Sequence, residues 1–228
     1  MSTWHTELGV FDLETTGIDV DSARIVTAHV GRLDGDGRLV ERRDWLVDPG
    51  VDIPAGATAV HGITTEYARA NGRPAPASVC EIVEALRDLF SRGTPVVAYN
   101  APYDFTLLDR EARRHGVAPL VSPGPVIDPL VIDKAMDKYR RGKRTLEVTA
   151  LYYGVDLTDA HDAGADAVAA GRVAQALARV HTEALAFEAA ELHRMQVDWC
   201  REQAADFQEY MRRVRDPLFT TSGAWPVR

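Results

Sequence analysis

The residues best suited to chemistry in this sequence are two carboxylates separated by one residue, Asp12 and Glu14, in the stretch Phe11-Asp12-Leu13-Glu14-Thr15-Thr16-Gly17. An apolar run at 8–11 precedes them and has the composition of a buried strand. Because residues i and i+2 of a strand point to the same face, the two carboxylates are neighbours. Neighbouring carboxylates repel unless a cation lies between them, and Mg²⁺ or Mn²⁺ prefers such oxygen ligands. The pair predicts a metal site at a strand end, and the alternative is an ordinary polar strand end.

Two later stretches also place a carboxylate where an element begins. Asp104 ends the stretch Asn100-Ala101-Pro102-Tyr103-Asp104, which follows a short apolar strand and leads into a helix. Asp166 lies in the first turns of an alanine-rich helix, five residues after His161, which precedes that helix on a loop. Open α/β sheets bind ligands at strand-to-helix turns, so Asp104 can approach the first pair. Taken alone, Asp104 also fits a charge favoured by the helix dipole, and His161 fits a cap or a surface residue.

The elements that must position these residues indicate an α/β fold. Apolar and alternating runs predict five strands, at 7–12, 24–33, 39–47, 95–99 and 126–128. The second and third strands flank the turn Asp34-Gly35-Asp36-Gly37 and should form an antiparallel hairpin. Residues 51–59, which contain Pro54 and Gly56, indicate a loop. Helices are predicted after the caps Thr64 and Ser78, after Asp104, and at 129–139, 145–152, 161–180 and 182–214.

Length and composition indicate one main domain with an appendage. The chain has 228 residues and a net charge of −8, with no signal-like segment near Met1. No stretch approaches the ~18 apolar residues that span a bilayer. Cys80 and Cys200 lack the spacing of a zinc site or a disulfide framework. We therefore expect a cytoplasmic protein without membrane contact. The acidic charge argues against a protein that coats long nucleic acids, and it is compatible with an enzyme that binds their ends.

One basic segment interrupts this acidic composition. The run Lys138-Tyr139-Arg140-Arg141-Gly142-Lys143-Arg144 contains five positive charges together with an aromatic residue and a glycine. Such a cluster is a candidate contact for nucleic-acid phosphates. A solvated helix end would have the same composition, and the sequence leaves both interpretations open.

Together these stretches resemble the motifs of the DEDDh 3′-to-5′ exonucleases, a family with the ribonuclease H-like fold that includes the proofreading subunit of the bacterial replicative polymerase. The first motif resembles residues 12–17, and the second, Asn-x-x-aromatic-Asp, resembles residues 100–104. The third, His-x-Ala-x-x-Asp, resembles residues 161–166. The segment Val60-His61-Gly62-Ile63-Thr64 is similar to one that the family carries between its first two motifs. The resemblance covers roughly residues 7–180, and the key positions all match.

The resemblance implies a catalytic site with two Mg²⁺ or Mn²⁺ ions as cofactors. Asp12 would bridge both ions, and Glu14 and Asp166 would complete the first site. Asp104 would support the second ion. His161 would act as the general base that takes a proton from the attacking water. The implied product is a nucleoside 5′-monophosphate.

The resemblance also indicates substrate-binding positions. Backbone N–H groups from Thr15 to Gly17 resemble the family's contacts to the terminal nucleotide, and His61, Asn100 and Tyr103 lie on segments that line its pocket in relatives. The implied substrate is a single-stranded 3′ end, with DNA favoured over RNA. Two alternatives stay open: an exoribonuclease of the same fold that trims short RNA, and a non-catalytic accessory subunit that binds nucleic-acid ends.

For the architecture, the resemblance implies a mixed five-stranded sheet flanked by helices, with an exonuclease domain at 1–181 and a C-terminal helix and tail at 182–228. Apolar residues along the predicted helix at 182–214 favour packing on its own domain, and the alternative is a partner protein. The stretch Asp216-Pro217-Leu218-Phe219 resembles peptides with which bacterial replication proteins bind the sliding clamp. We therefore expect a flexible end at 216–228 that contacts a clamp or polymerase and is dispensable for hydrolysis of short oligonucleotides.

Overall fold

The computed structural model of the chain describes residues 4–158 and 160–228. The strands among them are β1 (Leu8–Thr15), β2 (Ile25–Leu33), β3 (Leu39–Asp48), β4 (Arg73–Pro74), β5 (Val96–Val97) and β6 (Val126–Ile127). They form one mixed sheet in the order β4-β3-β2-β1-β5-β6. Strands β1, β2 and β3 are antiparallel neighbours, whereas β5 is parallel to β1, β6 to β5 and β4 to β3.

Helices pack on both faces of this sheet. They are α1 (Ala55–His61), α2 (Thr65–Asn71), α3 (Ala75–Ser91), α4 (Pro102–Arg114), α5 (Pro129–Met136), α6 (Leu146–Tyr152), α7 (Ala163–Val180) and α8 (Ala189–Val214). Helices α3 and α4 belong to the core on one face, and α7 belongs to the core on the other. None of the helices in the described residues is long and apolar enough to cross a membrane.

The alternation of side chains along β1 decides which of these faces receives its carboxylates. Phe11 and Leu13 pack into the core with α3 and α4, whereas Leu8 and Val10 pack into the core with α7. Asp12 and Glu14 continue the second series, so they point to the α7 face. Helix α7 lies so close to β1 that a Cβ atom added at Gly171 would come within 2.6 Å of Val10 Cγ1.

The five predicted strands are all present, and the hairpin of β2 and β3 is confirmed. The predicted strand count is nevertheless wrong, because β4 adds a sixth strand where Arg73 pairs with Val47. Strand β1 also continues beyond the predicted end, since its pairing with β2 runs on to Thr15. Glu14 therefore lies within the strand and not after it.

The helix predictions are corrected at four places, the first being α5, which ends at Met136 and not at residue 139. Residues 51–59 are not a loop throughout, since α1 begins after Pro54 and ends at Gly62, whose φ is 77°. Ser78 is not a cap, because α3 already begins at Ala75 with a proline in its first turn, a position that tolerates the missing N–H. The helix predicted from residue 182 begins only at Ala189. The cap at Thr64 is confirmed.

The region after α7 is folded onto the rest of the chain. Helix α8 packs against α5 and β6, which confirms the expected packing on its own domain. The segment that follows is not the free end that we expected. Trp225 is only 6% exposed, and the N–H of Arg228 donates to Thr106 Oγ1 on α4 over 2.9 Å. Leu218 does remain exposed, whereas the Phe219 ring lies 5.5 Å from that of Phe207.

Candidate active site

The first two carboxylate-bearing elements meet at the middle of the sheet. Asp12 and Glu14 are adjacent on the α7 face of β1, and Asp104 lies in the first turn of α4. Asp104 is buried, and its Oδ1 accepts the backbone N–H of Leu13 over 3.1 Å. This bond places the beginning of α4 directly beside the strand segment between Asp12 and Glu14.

Helix α7 and the loop that precedes it bring two further polar side chains to this position. Ligand atoms of Glu14, His161 and Asp166 all lie within 4.8 Å of one another. Asp166 Oδ2 accepts the backbone N–H of His161 over 3.3 Å, which draws the loop toward the helix. Asp166 Oδ1 is buried and has no hydrogen-bond partner among the described residues. An unpartnered carboxylate oxygen that faces other carboxylates is the donor that a cation requires.

The carboxylates of this cluster raise one another's pKa values, because each is buried beside further acidic groups. Burial raises the pKa of Asp12, and the charges of Asp104, Glu14 and Asp166 raise it further. The pKa of Glu14 is raised from 4.5 to about 8, first by burial and then by Asp166 and Asp162. No arginine or lysine of the described residues forms an ion pair with these carboxylates.

Asp104 and Asp166 follow the same pattern. Burial raises the pKa of Asp104 more strongly than its backbone hydrogen bonds lower it. Burial likewise raises the pKa of Asp166, although the N–H of His161 opposes this. A divalent cation would stabilise the ionised form of all these side chains at once.

His161 occupies the exposed side of the cluster. Its φ of 70° lies in the left-handed region, which is uncommon for a residue other than glycine. About half of the side chain is exposed (47%), and Nε2 lies 3.4 Å from Glu147 Oε1 on α6. The imidazole is therefore accessible to water while it remains beside Glu14 and Asp166. Glu147 was missed by the sequence reasoning, because nothing in its local pattern connects it with His161.

Four of the predicted substrate-binding residues lie beside this cluster. The hydroxyl of Tyr103 donates to the carbonyl oxygen of Gly17 over 2.6 Å and lies 2.5 Å from Thr15 Oγ1. The ring of His61 lies beside the Thr15 backbone and near His161, and its pKa is lowered, mainly by burial. A Cβ added at Gly17 would meet open space, so this turn borders an open surface.

Asn100 is placed differently. Its backbone has a φ of 61°, its side chain is exposed, and its N–H donates to Asp128 Oδ1 over 3.0 Å. Among the described residues, no hydrogen bond connects its side chain with the carboxylates. Asp128 was another residue that the sequence reasoning passed over, although an aspartate between a short strand and a proline is a helix-cap signal. It does cap α5, since it accepts the N–H of Leu130 over 3.0 Å.

The basic segment 138–144 is mostly not a free phosphate-binding patch. Arg140 and Arg144 are nearly buried, at 5% and 13% exposure, and both bind the carboxylate of Asp133 on α5. Lys138 pairs with Asp206 on α8 over 2.6 Å. Both interpretations of this segment treated its five charges as free, whereas three of them form ion pairs within the fold. Arg141 and Lys143 remain exposed.

Comparison with known sequences gives a consistent result. The model of the exonuclease family RNase_T matches residues 10–174. The chain is 28% identical over 171 residues to the PolC-type DNA polymerase III of Lacticaseibacillus paracasei, and 31% identical over 165 residues to that of Streptococcus agalactiae serotype III. These alignments cover 75% and 72% of this chain. The chain spans about a tenth of the length of these relatives (11% and 10%).

Solved structures of exonuclease I share the fold. Escherichia coli exonuclease I in complex with a dA16 oligonucleotide superimposes with a TM-score of 0.65 at 22% identity, over 76% of this chain and 41% of that one. Exonuclease I from Methylocaldum szegediense gives a TM-score of 0.64 at 21% identity, over 90% of this chain and 45% of that one. These likenesses confirm the predicted ribonuclease H-like fold.

Proposed function

This chain belongs to the exonuclease family RNase_T, and from that premise we propose that it is a metal-dependent 3′-to-5′ exonuclease that releases nucleoside 5′-monophosphates from single-stranded DNA. The observation that carries the proposal is the convergence of Asp12, Glu14, Asp104 and Asp166 with raised pKa values and no basic partner among the described residues. Such an arrangement lowers the stability of the metal-free fold, so a site that retains it is better explained by cation binding than by structure.

The donor set fits divalent cations that prefer oxygen. Asp12, Glu14 and Asp166 would hold one Mg²⁺ or Mn²⁺, and Asp12 with Asp104 would hold a second. The unpartnered Asp166 Oδ1 supports this assignment. When bound, the ions would activate the attacking water and stabilise the charge that develops on the phosphate and the leaving oxygen.

In this proposal His161 is the general base. Its half-exposed imidazole can accept a proton from a water molecule beside Glu14 and Asp166. The water oxygen forms the new bond to phosphorus while the bond to the 3′ oxygen of the preceding nucleotide breaks, and that oxygen takes up a proton. Glu147 Oε1 lies 3.4 Å from Nε2 and would orient the ring.

The substrate end would lie along the turn at Thr15 to Gly17. This turn is open to solvent at Gly17, and the Tyr103 hydroxyl stabilises it by donating to the Gly17 carbonyl oxygen. The Tyr103 ring, with its hydroxyl engaged, retains a face on which a base can stack without sequence preference. Escherichia coli exonuclease I has been solved with dA16 and dT13, which favours single-stranded DNA for this chain also.

A gel assay tests the proposal and separates the alternatives. Purified protein is incubated with 5′-labelled single-stranded DNA, duplex DNA and RNA, each with Mg²⁺, Mn²⁺ or a chelator. We expect progressive shortening of single-stranded DNA with either metal and none with the chelator or with Asp12→Ala. Faster shortening of RNA would identify an exoribonuclease instead. Retarded but intact substrates would identify an accessory subunit that only binds ends.

The partner assignment is part of the same proposal. The relatives are PolC-type DNA polymerases, which favours a replication or repair context. Leu218 is 85% exposed and would be the residue of the stretch 216–219 that enters a clamp or polymerase pocket. Calorimetry of the protein against the sliding clamp should give heat that Leu218→Ala removes. If neither the wild-type protein nor Leu218→Ala gives heat with the clamp, this contact is excluded.

A further inference from the structure

Asp128 is a buried side chain that connects three parts of the fold. It follows β6 and is fully buried. Its Oδ1 accepts the N–H groups of Asn100 and Leu130, each over 3.0 Å, and its Oδ2 accepts the N–H of Ala101, also over 3.0 Å. One carboxylate thus binds both residues of the turn that immediately precedes α4.

The same aspartate is bound from the region after α7. Gln196 on α8 is fully buried, and its Oε1 accepts the N–H of Asp128 over 2.6 Å while its Nε2 donates to the carbonyl of Val126. The indole N–H of Trp225 donates to Asp128 Oδ2 over 3.4 Å. The Trp225 ring lies 4.9 Å from that of His193, which in turn accepts the N–H of Val126. Gln196 and Trp225 both lie outside the residues that match the family model.

The turn that Asp128 holds leads directly to the carboxylate of α4. Asn100 has a φ of 61°, a conformation that costs free energy in a residue with a side chain and must be stabilised by its surroundings. Ala101 is followed by α4, in which Tyr103 and Asp104 lie in the first turn. Any shift of this turn would move Asp104 relative to the Leu13 N–H that it accepts.

The residues that follow α8 also contact α4 directly. The N–H of Arg228 donates to Thr106 Oγ1 over 2.9 Å, and Val227 packs against the core cluster that includes Phe105 and Leu108. Helix α4 is therefore held at its first turn through Asp128 and along its next turn by the segment 225–228.

We propose that α8 and the segment 225–228 are positioning elements of the active site: Trp225 and Gln196 fix Asp128, Asp128 fixes the Asn100–Ala101 turn, and the turn fixes Asp104. The inference rests on the proposed function, because it assigns Asp104 to the catalytic cluster. It contradicts the expectation from the sequence that residues 216–228 are dispensable for hydrolysis of short oligonucleotides.

Trp225→Phe tests the proposal, because it removes the indole N–H and retains an aromatic ring. Trp45→Phe is the matched control. Trp45 is also 6% exposed and its indole also donates to a carboxylate, that of Glu81 on α3, over 3.0 Å. Each variant removes one indole-to-carboxylate hydrogen bond, buried at Trp225 and partly buried at Trp45, so Trp45→Phe controls for the loss of such a bond at an equally buried tryptophan. We expect kcat on a short single-stranded oligonucleotide to fall about tenfold for Trp225→Phe and to stay unchanged for Trp45→Phe.

A second variant and a second measurement distinguish a positioning effect from a general loss of stability. Gln196→Met removes the acceptor for the Asp128 N–H, and it should lower kcat in the same direction. Hydrogen exchange of the metal-free proteins should show faster exchange of peptides that cover 98–104 in Trp225→Phe and Gln196→Met, but not in Trp45→Phe. Equal kcat values for Trp225→Phe and Trp45→Phe would overturn the proposal.

The exchange measurement also separates this inference from the proposed function. If the wild-type protein hydrolyses none of the substrates, the nuclease assignment is refuted. The exchange data would still show whether Trp225 and Gln196 stabilise the Asn100–Ala101 turn through Asp128. Unchanged exchange at 98–104 in Trp225→Phe would refute the network. Faster exchange confined to that turn would support it.

Discussion

Two buried carboxylate clusters in this protein are built on opposite electrostatic principles. Asp133 on α5 is fully buried, and it accepts hydrogen bonds from Arg140 over 2.8 Å, from Tyr153 over 2.9 Å and from Arg144. Burial raises its pKa, but these donors outweigh burial and lower it below the ordinary value. At the candidate active site, burial and neighbouring charges act in the same direction, and the pKa of Asp12 is raised.

The difference separates a carboxylate that the chain itself neutralises from one that requires a bound proton or cation. Around Asp133 the chain supplies its own cations, so the charge is neutralised as soon as the protein folds. Around Asp12 the chain supplies only further acids, and neutralisation must come from protons or from a bound cation. Variants at the two clusters should therefore affect different measured quantities, activity at one and stability at the other.

The largest expected effect is at the acidic cluster. Asp12→Ala and Asp166→Asn should each abolish hydrolysis, because each removes a proposed ligand. Each should leave the free energy of unfolding in chelator unchanged or higher, since repulsion among the remaining carboxylates is relieved. Turnover assays and urea unfolding in metal-free buffer measure the two effects. Near wild-type turnover by either variant, purified free of host nucleases, would show that the cluster is not catalytic.

The next largest effect concerns His161. His161→Ala should lower turnover by about 10² to 10⁴-fold, the usual contribution of a general base, while Mn²⁺ binding is retained. Glu147→Gln serves as the companion variant and should cause a smaller decrease, because it leaves the imidazole in place. An unchanged rate for His161→Ala at neutral pH would require another base.

At the buried ion cluster the expected effect is on folding. Asp133→Ala leaves two nearly buried guanidinium groups without their acidic partner, which typically costs about 3–5 kcal/mol of stability. Asp206→Ala removes the partner of the exposed Lys138 and should cost less than about 1 kcal/mol. Urea unfolding of both variants gives the comparison. Equal small decreases in stability would mean that the Asp133 cluster is solvated in solution.

The two clusters also differ in how far the sequence could predict them. Asp12, Glu14, Asp104 and Asp166 stood out as carboxylates at element ends, and the resemblance to a known family grouped them into one site. The structure brings them close to one another. The partners of Asp133 lie only seven and eleven residues away, yet they resembled a solvated basic patch. The charge pattern of the sequence does not reveal that Arg140 and Arg144 are nearly buried, and their partner Asp133 lies before the basic segment.

Longer-range contacts were hidden for a related reason. Gln196 and Trp225 reach Asp128 across 68 and 97 residues, and no local period or motif encodes such a pairing. Strand β4 escaped notice because it consists of Arg73 and Pro74, neither of which belongs to an apolar or alternating run. The helix α1 was assigned to a loop because Pro54 and Gly56 outweighed the residues that follow, whereas Pro54 only precedes the first turn.

The pH dependence of stability should also separate the clusters. In chelator, Glu14 in the folded state titrates with a pKa of about 8 instead of 4.5, so between these values the folded state holds a proton that the unfolded chain has released. Stability therefore falls as pH rises through this window. Asp133 has the opposite sign, because its lowered pKa stabilises the fold at neutral pH and this contribution disappears as pH falls into the acid range.

Urea midpoints measured in chelator from about pH 5 to about pH 8 test this expectation. The midpoint should decrease with pH, and the decrease should be smaller for Glu14→Gln, which cannot release a proton. Addition of Mn²⁺ should stabilise the wild type most at the high end of the range, where the carboxylates are ionised. A midpoint that is flat with pH in chelator would show that the carboxylates are solvated and do not interact.

The smallest expected effect concerns Arg141 and Lys143, the two residues of the basic segment 138–144 whose charges are not paired within the described residues. Arg141 and Lys143 are exposed, and neither forms an ion pair with any described residue, so they can contact phosphates upstream of the cleaved nucleotide. Arg141→Glu with Lys143→Glu should raise KM for long single strands and leave kcat on short ones unchanged. For every phosphate that the variant no longer neutralises, the slope of log affinity against log salt should become shallower by about 0.7.

A double variant elsewhere on the surface controls for the change in net charge. Arg38→Glu with Arg87→Glu alters the charge by the same amount at surface ion pairs outside this segment. Arg38 lies in the turn after β2, at the end of β1 opposite Glu14, and Arg87 lies on α3, which packs on the other face of the sheet. This variant should therefore keep the wild-type KM and salt slope. Equal KM values and salt slopes for the two double variants would show that Arg141 and Lys143 are only solvated.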